Sequence, residues 1–412
     1  MFIAPMHKRL TPIKKKSFIF AVWRLQIRKT GVLKTEPGQW WTKIKFIIAW
    51  FQPPLGFWPQ FQTLMPMKKK TRVNIYDVAE AVGVSISTVS RALNDDVRIS
   101  AKTKARVKAA ATTLGFQKNA LATSLSTDKS KVIGVIVSHL NREFLSSLVH
   151  NIEETAFAMG YSVIICQTNN SYKREKTYVD TLIASRVAGI IATLSLETQS
   201  YNHFKKAKDQ GVKVVLVDRI TLKLKSTTKI VIDDYQTAFD GTRHLIKQGY
   251  DKIAYVSGPT KQLLYADRLR GFEQAIKDAG LRLNPEWIKY SDNLSYEDGT
   301  RIATELLQLQ DPPNAIFTAN NITAISTIAH AEQAGVPVPS ELGVLGFSEE
   351  PFSAFMKPSV TSIRQPSKDM GRLAVQKLVE EINTERGEDY IHQKIVLDTE
   401  LICRESTNRN GK

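Results

Sequence analysis

Residues 74–94, Asn-Ile-Tyr-Asp-Val-Ala-Glu-Ala-Val-Gly-Val-Ser-Ile-Ser-Thr-Val-Ser-Arg-Ala-Leu-Asn, leave the chain little structural choice. Ile75, Val78, Ala79 and Val82 stand at i, i+3, i+4 and i+7, the spacing of one face of a short helix. Gly83 then permits a tight turn that Val84 closes inward. Ser85 or Ser87 can cap a second helix with Val89, Ala92 and Leu93 inward, which leaves Ile86, Ser87, Ser90 and Arg91 outward. A third helix starts at Ser100, runs through Val107, Ala110 and Leu114, and stops at Gly115. The expected unit is small, all-α and built as a helix-turn-helix. A purely structural three-helix bundle is the bland alternative. Short hydroxyls and one arginine on the outer face suit base and phosphate hydrogen bonds better than plain solvation, which would call for Glu and Lys.

The charge distribution bears on that choice. Residues 1–66 hold 11 Lys/Arg against one acid, residues 67–131 hold 13 against 5, and residues 132–412 hold 33 against 34. A nearly neutral body thus carries a basic module at its front, the pattern of a nucleic-acid reader joined to a sensing domain. At 412 residues the chain needs two or three domains. Its 42% hydrophobic and 24% charged content excludes a wholly disordered, collagen-like or polytopic membrane chain. Cys166 and Cys403 are far apart and neither sits in a CxxC pair, which argues against a disulfide framework or cysteine zinc site and fits a reducing cytoplasm.

Residues 1–66 read differently from the rest: five of the six tryptophans crowd there, among seven prolines. The apolar runs 18–23 and 46–51 are far shorter than the roughly 20 residues of a spanning helix, and no secretory pattern is present. This atypical basic, aromatic extension is a surface-binding arm, a disordered tail, or sequence upstream of a functional start at Met67. The last is favoured, because Lys68-Lys69-Lys70 and the helical motif follow Met67 at once.

The run Ile75-Tyr-Asp-Val-Ala, Gly83-Val-Ser, Thr88-Val-Ser-Arg91 and Asn94, then Ser100-Ala-Lys-Thr103, Asn119-Ala-Leu-Ala122 and Ser124-Leu125-Ser126, resembles the DNA-binding head of LacI/GalR transcriptional repressors. The resemblance implies that Ile86, Ser87 and Arg91 read bases, with Arg91 donating to a guanine edge, and that Asn74, Ser85, Thr88, Ser90, Asn94, Ser100, Thr103 and Asn119 hold phosphates. Ile86 cannot hydrogen-bond through its side chain, so contact with a thymine methyl is its expected use. Residues 119–130 become a hinge and linker; Ala122 and Leu125 belong to its DNA-binding set, with Leu125 wedged into the minor groove. Leu121 and Leu125 at i, i+4 also read as a plain helix packing face. Lys118 and Thr123 depart from the family's usual proline and arginine, which puts hinge contacts in question.

From Lys131 the pattern changes to apolar runs alternating with amphipathic helices. Strands are expected at 132–137, 161–166, 189–192, 212–217, 253–256, 315–317 and 344–347, with helices at 235–248, 265–279, 296–309 and 322–334. Repeated βα units imply parallel sheets covered on both faces, and two series imply two lobes with a cleft at the carboxyl ends of the strands. The family's effector domain, similar to periplasmic sugar-binding proteins of type I, has this plan, and the resemblance extends over residues 71 to about 407. It implies three crossings between lobes, with helix 367–384 returning to the first lobe and the final strands, 394–405, to the second.

The resemblance also places Phe144, Asp218, Arg219, Arg268, Asn320 and Ser348 at the effector. Each has a structural alternative: core packing for Phe144, a local ion pair for Asp218 and Arg219, a helix cap for Asn320. Ser348, in Gly346-Phe347-Ser348-Glu349-Glu350, stands where many members have an aspartate, so no named sugar follows.

The resulting expectation is a cytoplasmic repressor that binds a palindromic operator as a homodimer under control of a sugar or related polar metabolite. Its divisions would be 1–66 extension, 67–118 DNA-binding domain, 119–130 hinge, 131–408 effector-binding and dimerisation domain, and 409–412 tail. Control by a protein partner, or a solute-binding role, are the alternatives. No GxGxxG after a strand, P-loop, HExxH or GxSxG motif is present, so no catalytic residue, cofactor or metal is expected; the His139 and His150 pair reads as incidental.

Overall fold

The computed structural model describes residues 73–116, 130–384 and 389–409. The chain divides into two compact units, Met1–Gln117 and Lys118–Lys412, taken separately below. The hinge residues Asn119, Ala122 and Leu125, with Lys118, Leu121 and Thr123, lie outside the described residues, as does the extension 1–66.

Three helices form the first unit: α1 (Ile75–Val82), α2 (Ile86–Leu93) and α3 (Ala101–Leu114). Each begins where a polar side chain can satisfy the N–H groups that a helix start leaves unpaired. Asn74 accepts from the Tyr76 and Asp77 amides, while the Asp77 carboxylate accepts from the Asn74 amide at 2.7 Å, closing a reciprocal cap. Ser85, not Ser87, caps α2 by accepting from the Thr88 amide, and Ser100 caps α3 through the Thr103 amide. Gly83 ends α1 at φ +71° and Gly115 ends α3 at φ +69°, a region that disfavours any side chain. Val78, Ala79, Val82, Val89, Ala92, Val107 and Ala111 form the core. On α3 the buried partner of Val107 is Ala111 rather than Ala110, which only packs at the margin, and Leu114 is exposed.

The second unit holds two six-stranded sheets. The first runs β11-β5-β4-β3-β1-β2, using β1 (Val132–Val137), β2 (Ser162–Gln167), β3 (Gly189–Ala192), β4 (Lys213–Val217), β5 (Thr228–Ile232) and β11 (Lys394–Leu397). The second runs β12-β10-β9-β8-β6-β7, using β6 (Ile253–Ser257), β7 (Ile288–Tyr290), β8 (Ala315–Thr318), β9 (Gly343–Phe347), β10 (Thr361–Arg364) and β12 (Glu400–Ile402). Helices α4 (Glu143–Ala158), α5 (Tyr172–Ala184), α6 (Asn202–Asp209) and α11 (Ser367–Asn383) pack on the first sheet. Helices α7 (Asp234–Lys247), α8 (Leu263–Asp278), α9 (Tyr296–Leu307) and α10 (Asn321–Gln333) belong to the second lobe. Every strand pairing is parallel except β10 with β12, so the central strands are covered by helices and read as continuous apolar runs.

The lobe crossings follow β5, β10 and β11, and α11 returns to the first lobe as the resemblance implied. The final strands need correction. Lys394–Leu397 does not join the second lobe but pairs in parallel with residues 229–232 of the first sheet; only β12 pairs with the second, against β10. Strands β5, β7 and β10 and helix α6 were not read from the sequence.

Candidate DNA-reading helix and effector cleft

On α2 the groups able to face a nucleic acid are short. Ile86 is 39% exposed, Ser87 and Arg91 are exposed, and Thr88 and Ser90 are half-buried against the core side. The Ser85 hydroxyl lies 2.9 Å from that of Ser87 and 2.8 Å from that of Thr88, so three hydroxyls form one cluster at the helix start. A second pair, Ser100 and Thr103, stands 3.0 Å apart at the start of α3. Helix starts lined with N–H and O–H donors suit phosphate oxygens. The described ion pairs of this unit are Arg98–Asp96 and Lys108–Asp95, and Arg91 takes part in neither. Asn74 and Asn94 sit at the ends of α1 and α2, exposed.

In the second unit all six residues expected at the effector line one cavity, from five separate segments, with about 720 Å³ of space counted out to its solvent mouth. Phe144 is half-buried on the first turn of α4, packed against the core and lining the cavity at once. Asp218 and Arg219 follow β4 and make no ion pair with each other, which removes that alternative. Asp218, at φ +62°, accepts from Gln365 Nε2 at 3.2 Å, a bond that joins the two lobes. Arg219 is buried and donates to Asn170 Oδ1 at 2.7 Å and to the Ser138 hydroxyl. Arg268, buried on α8, donates from Nε to Asp234 at 2.7 Å and from Nη1 to the Ala319 carbonyl at 3.1 Å, with its guanidinium 3.4 Å over the Phe347 ring. Asn320 caps α10 through the Thr323 amide and donates to the Leu294 carbonyl at 2.7 Å, so it is cap and cavity residue together. Ser348, at φ +64°, donates to Gln365 Oε1.

The cavity adds residues that sequence reasoning missed: His139, Arg142, Asn170, Tyr265, Asn293, Glu350 and Gln365. Most follow strand ends, where a cleft of this architecture is built, and that rule alone would have found His139 and Arg142 after β1. Gln365 was invisible because β10 was not read. His139 and His150 are unrelated here, since only His139 reaches the cavity and His150 is exposed on α4.

Burial governs the titration of the site. It lifts the Asp234 carboxyl to about 6 although Arg268 opposes it, and it raises Glu350. Burial, then Arg142 and Arg219, push His139 below its ordinary 6.5. A histidine with a depressed folded pKa binds its proton more weakly than in the unfolded chain, so its contribution to stability is present above pH 6.5 and is lost as pH falls below it. His139→Gln is therefore expected to flatten the decline in urea midpoint between pH 7 and pH 5; an unchanged decline counts against a half-buried neutral His139.

Family comparison agrees with this geometry. Residues 74–119 match the description "Bacterial regulatory proteins, lacI family", and residues 130–398 match "Periplasmic binding proteins and sugar binding domain of LacI family". The chain belongs to the LacI family. The HTH-type transcriptional repressor PurR of Photobacterium profundum is 30% identical over 332 residues, 81% of this chain and 98% of that one. The HTH-type transcriptional repressor CytR of Escherichia coli is 30% identical over 340 residues, 82% of this chain and 98% of that one. Among solved structures, a lac repressor dimer bound to operator and the anti-inducer ONPF shares 25% identity at a TM-score of 0.69, covering 82% of this chain and 99% of that one. As a LacI-family protein the chain is a ligand-responsive, DNA-binding transcriptional repressor. Members of the family are regulators rather than enzymes, and no described helix is long and apolar enough to cross a membrane.

Proposed function

We propose that this repressor binds a palindromic operator as a homodimer in the cytoplasm, without catalytic activity, and that a sugar or related small polar metabolite in the cleft controls it. In this reading residues 67–118 read DNA, 119–130 form the hinge, and 131–408 bind effector and dimerise. Within the reader, Ile86, Ser87 and Arg91 contact bases; Asn74, Ser85, Thr88, Ser90, Asn94, Ser100, Thr103 and Asn119 contact phosphate; Ala122 contacts DNA from the hinge, and Leu125 wedges into the minor groove.

The observation that carries the proposal is the convergence of Phe144, Asp218, Arg219, Arg268, Asn320 and Ser348 on one cavity between the lobes. A ligand there touches both lobes and favours whichever lobe arrangement it fits, which is how it biases the DNA-bound state. Selecting randomised duplex DNA with residues 67–412, then titrating the enriched site with candidate metabolites, tests both halves. A palindrome whose binding responds to a metabolite is the expected result. Failure to enrich any site opposes the DNA assignment, and a site indifferent to every metabolite favours control by a protein partner.

A further inference from the structure

The charges of the cleft are arranged unevenly. Two other arginines withdrawn from solvent in this unit, one of them in the cleft, have carboxylate partners: Arg268 has Asp234 at 2.7 Å, and Arg404 has Glu349. On the first-lobe wall the arrangement differs. Arg219, 6% exposed, is held by the neutral oxygens of Asn170 and Ser138, and no described carboxylate lies within 4 Å of it. Arg142, half-buried one residue before α4, donates to the Leu294 carbonyl at 3.5 Å; Glu350 and Glu297 feel its charge, but no described carboxylate comes within 4 Å of it. The second-lobe wall adds the neutral Asn320 and Ser348 to Glu350 and to Arg268, whose charge Asp234 already meets.

A cation withdrawn from water without a counter-charge is costly, and sites that keep one do so where a ligand supplies the charge. Planar guanidinium forks match carboxylate and phosphate oxygens in pairs. Resting on the reading of this cleft as the effector site, we infer that the effector carries an anionic group, a carboxylate or phosphate ester on a hydroxyl-bearing body, bound by Arg142 and Arg219. Asp218, Asn320 and Gln365 then serve its hydroxyls. Burial first, then Arg142 and Arg219, depress the His139 pKa, so both arginines act on this wall of the cleft. Asp218 and Glu350 line the same cavity, but neither carboxylate stands within 4 Å of Arg142 or Arg219: Asp218 accepts from Gln365, and burial pushes the Glu350 carboxyl up although Arg142 opposes it.

Calorimetry on the full-length protein tests this with three sets of probes: neutral hexoses, hexuronates and aldonates, and hexose phosphates. Binding by the second or third set is expected, and which of the two binds identifies the source of the anion. Arg142→Gln is expected to weaken the best anionic probe roughly 10- to 100-fold, the effect of a charged hydrogen bond. The unliganded melting temperature should hold or rise, because the change removes a like charge. Neutral hexoses binding while every anionic probe fails overturns the inference and leaves the cleft reading intact. An anion response that survives both Arg142→Gln and Arg219→Gln also overturns it, because the anion then sits elsewhere. If no carbohydrate of either kind binds, the anion inference and the cleft reading fall together.

Discussion

Arg91→Ala is expected to lower affinity for the selected operator by roughly 30- to 25,000-fold. A bidentate arginine–guanine contact discriminates by about 1–3 kcal/mol, and a dimer reading two half-sites loses it twice, for about 2–6 kcal/mol. The fold should tolerate the change, because Arg91 is exposed on α2 and the core contacts of that helix come from Val89 and Ala92. Stability should stay within about 0.5 kcal/mol of the parent, the range for a surface substitution away from special features. Ser85→Ala would behave differently. Removing the N-cap of α2 costs about 1 kcal/mol of helix stability, so that variant loses order and DNA contact together. The two roles separate in gel-shift titrations against operator and scrambled duplex at several salt concentrations. Losing a base contact removes discrimination between the two duplexes, whereas losing the neutral phosphate contact of Ser85 weakens both duplexes alike. An Arg91→Ala protein that still prefers its operator by the parental margin ends the assignment of Arg91 as a base reader.

The helix-turn-helix was legible because everything that fixes it is local. Asn74, Gly83, Ser100 and Gly115 mark the ends, and Val78, Val89 and Val107 keep helical period between them. The central strands of the body were legible for the same reason, as short apolar runs. The missed strands obey distant partners instead. In β5 the buried residues include Lys229, whose ammonium donates to the carbonyls of Leu224 and Thr227, an arrangement that hydropathy cannot reveal. In β10 the buried Thr361 and Ser362 are satisfied by Ser406, Arg404 and Asn321, more than 40 residues away in sequence. The cleft divides along the same line. Residues named by motif were found, but their partners were not: Asp234 lies 34 residues from Arg268, and Gln365 lies 147 from Asp218. Sequence pattern therefore recovers which side chains enter the site, and tertiary pairing decides which of their hydrogen-bonding groups remain for a ligand.

That pairing makes Gly271→Ala the most disruptive single methyl expected in the second lobe. Gly271 lies on α8 three residues after Arg268, where the helix meets α7, and a Cβ there would stand 2.1 Å from the carbonyl oxygen of Tyr235 and 3.1 Å from the Phe239 amide. Both obstacles are backbone, so no rotamer change relieves them. The helices must separate, and overpacking of this kind costs about 1–3 kcal/mol or somewhat more. The strain does not stay local. Asp234 opens α7 and Arg268 is on α8, so parting the helices pulls directly on a buried ion pair, and breaking such a pair adds up to about 3–5 kcal/mol. A combined loss of about 3–4 kcal/mol corresponds to roughly 6–16 °C in melting temperature for a unit of this size. Arg270→Ala provides the control. Its exposed i,i+3 pair with Asp267 is worth at most about 1 kcal/mol, and its melting temperature should barely move. Below its melting transition the Gly271→Ala protein should also bind effector more weakly than the Arg270→Ala protein, because Arg268 reaches the cavity only while Asp234 holds it. Equal melting temperatures for the two variants would mean that α7 and α8 are not packed backbone to backbone at Gly271; a lowered melting temperature with undiminished effector affinity would mean that Arg268 keeps its place without Asp234.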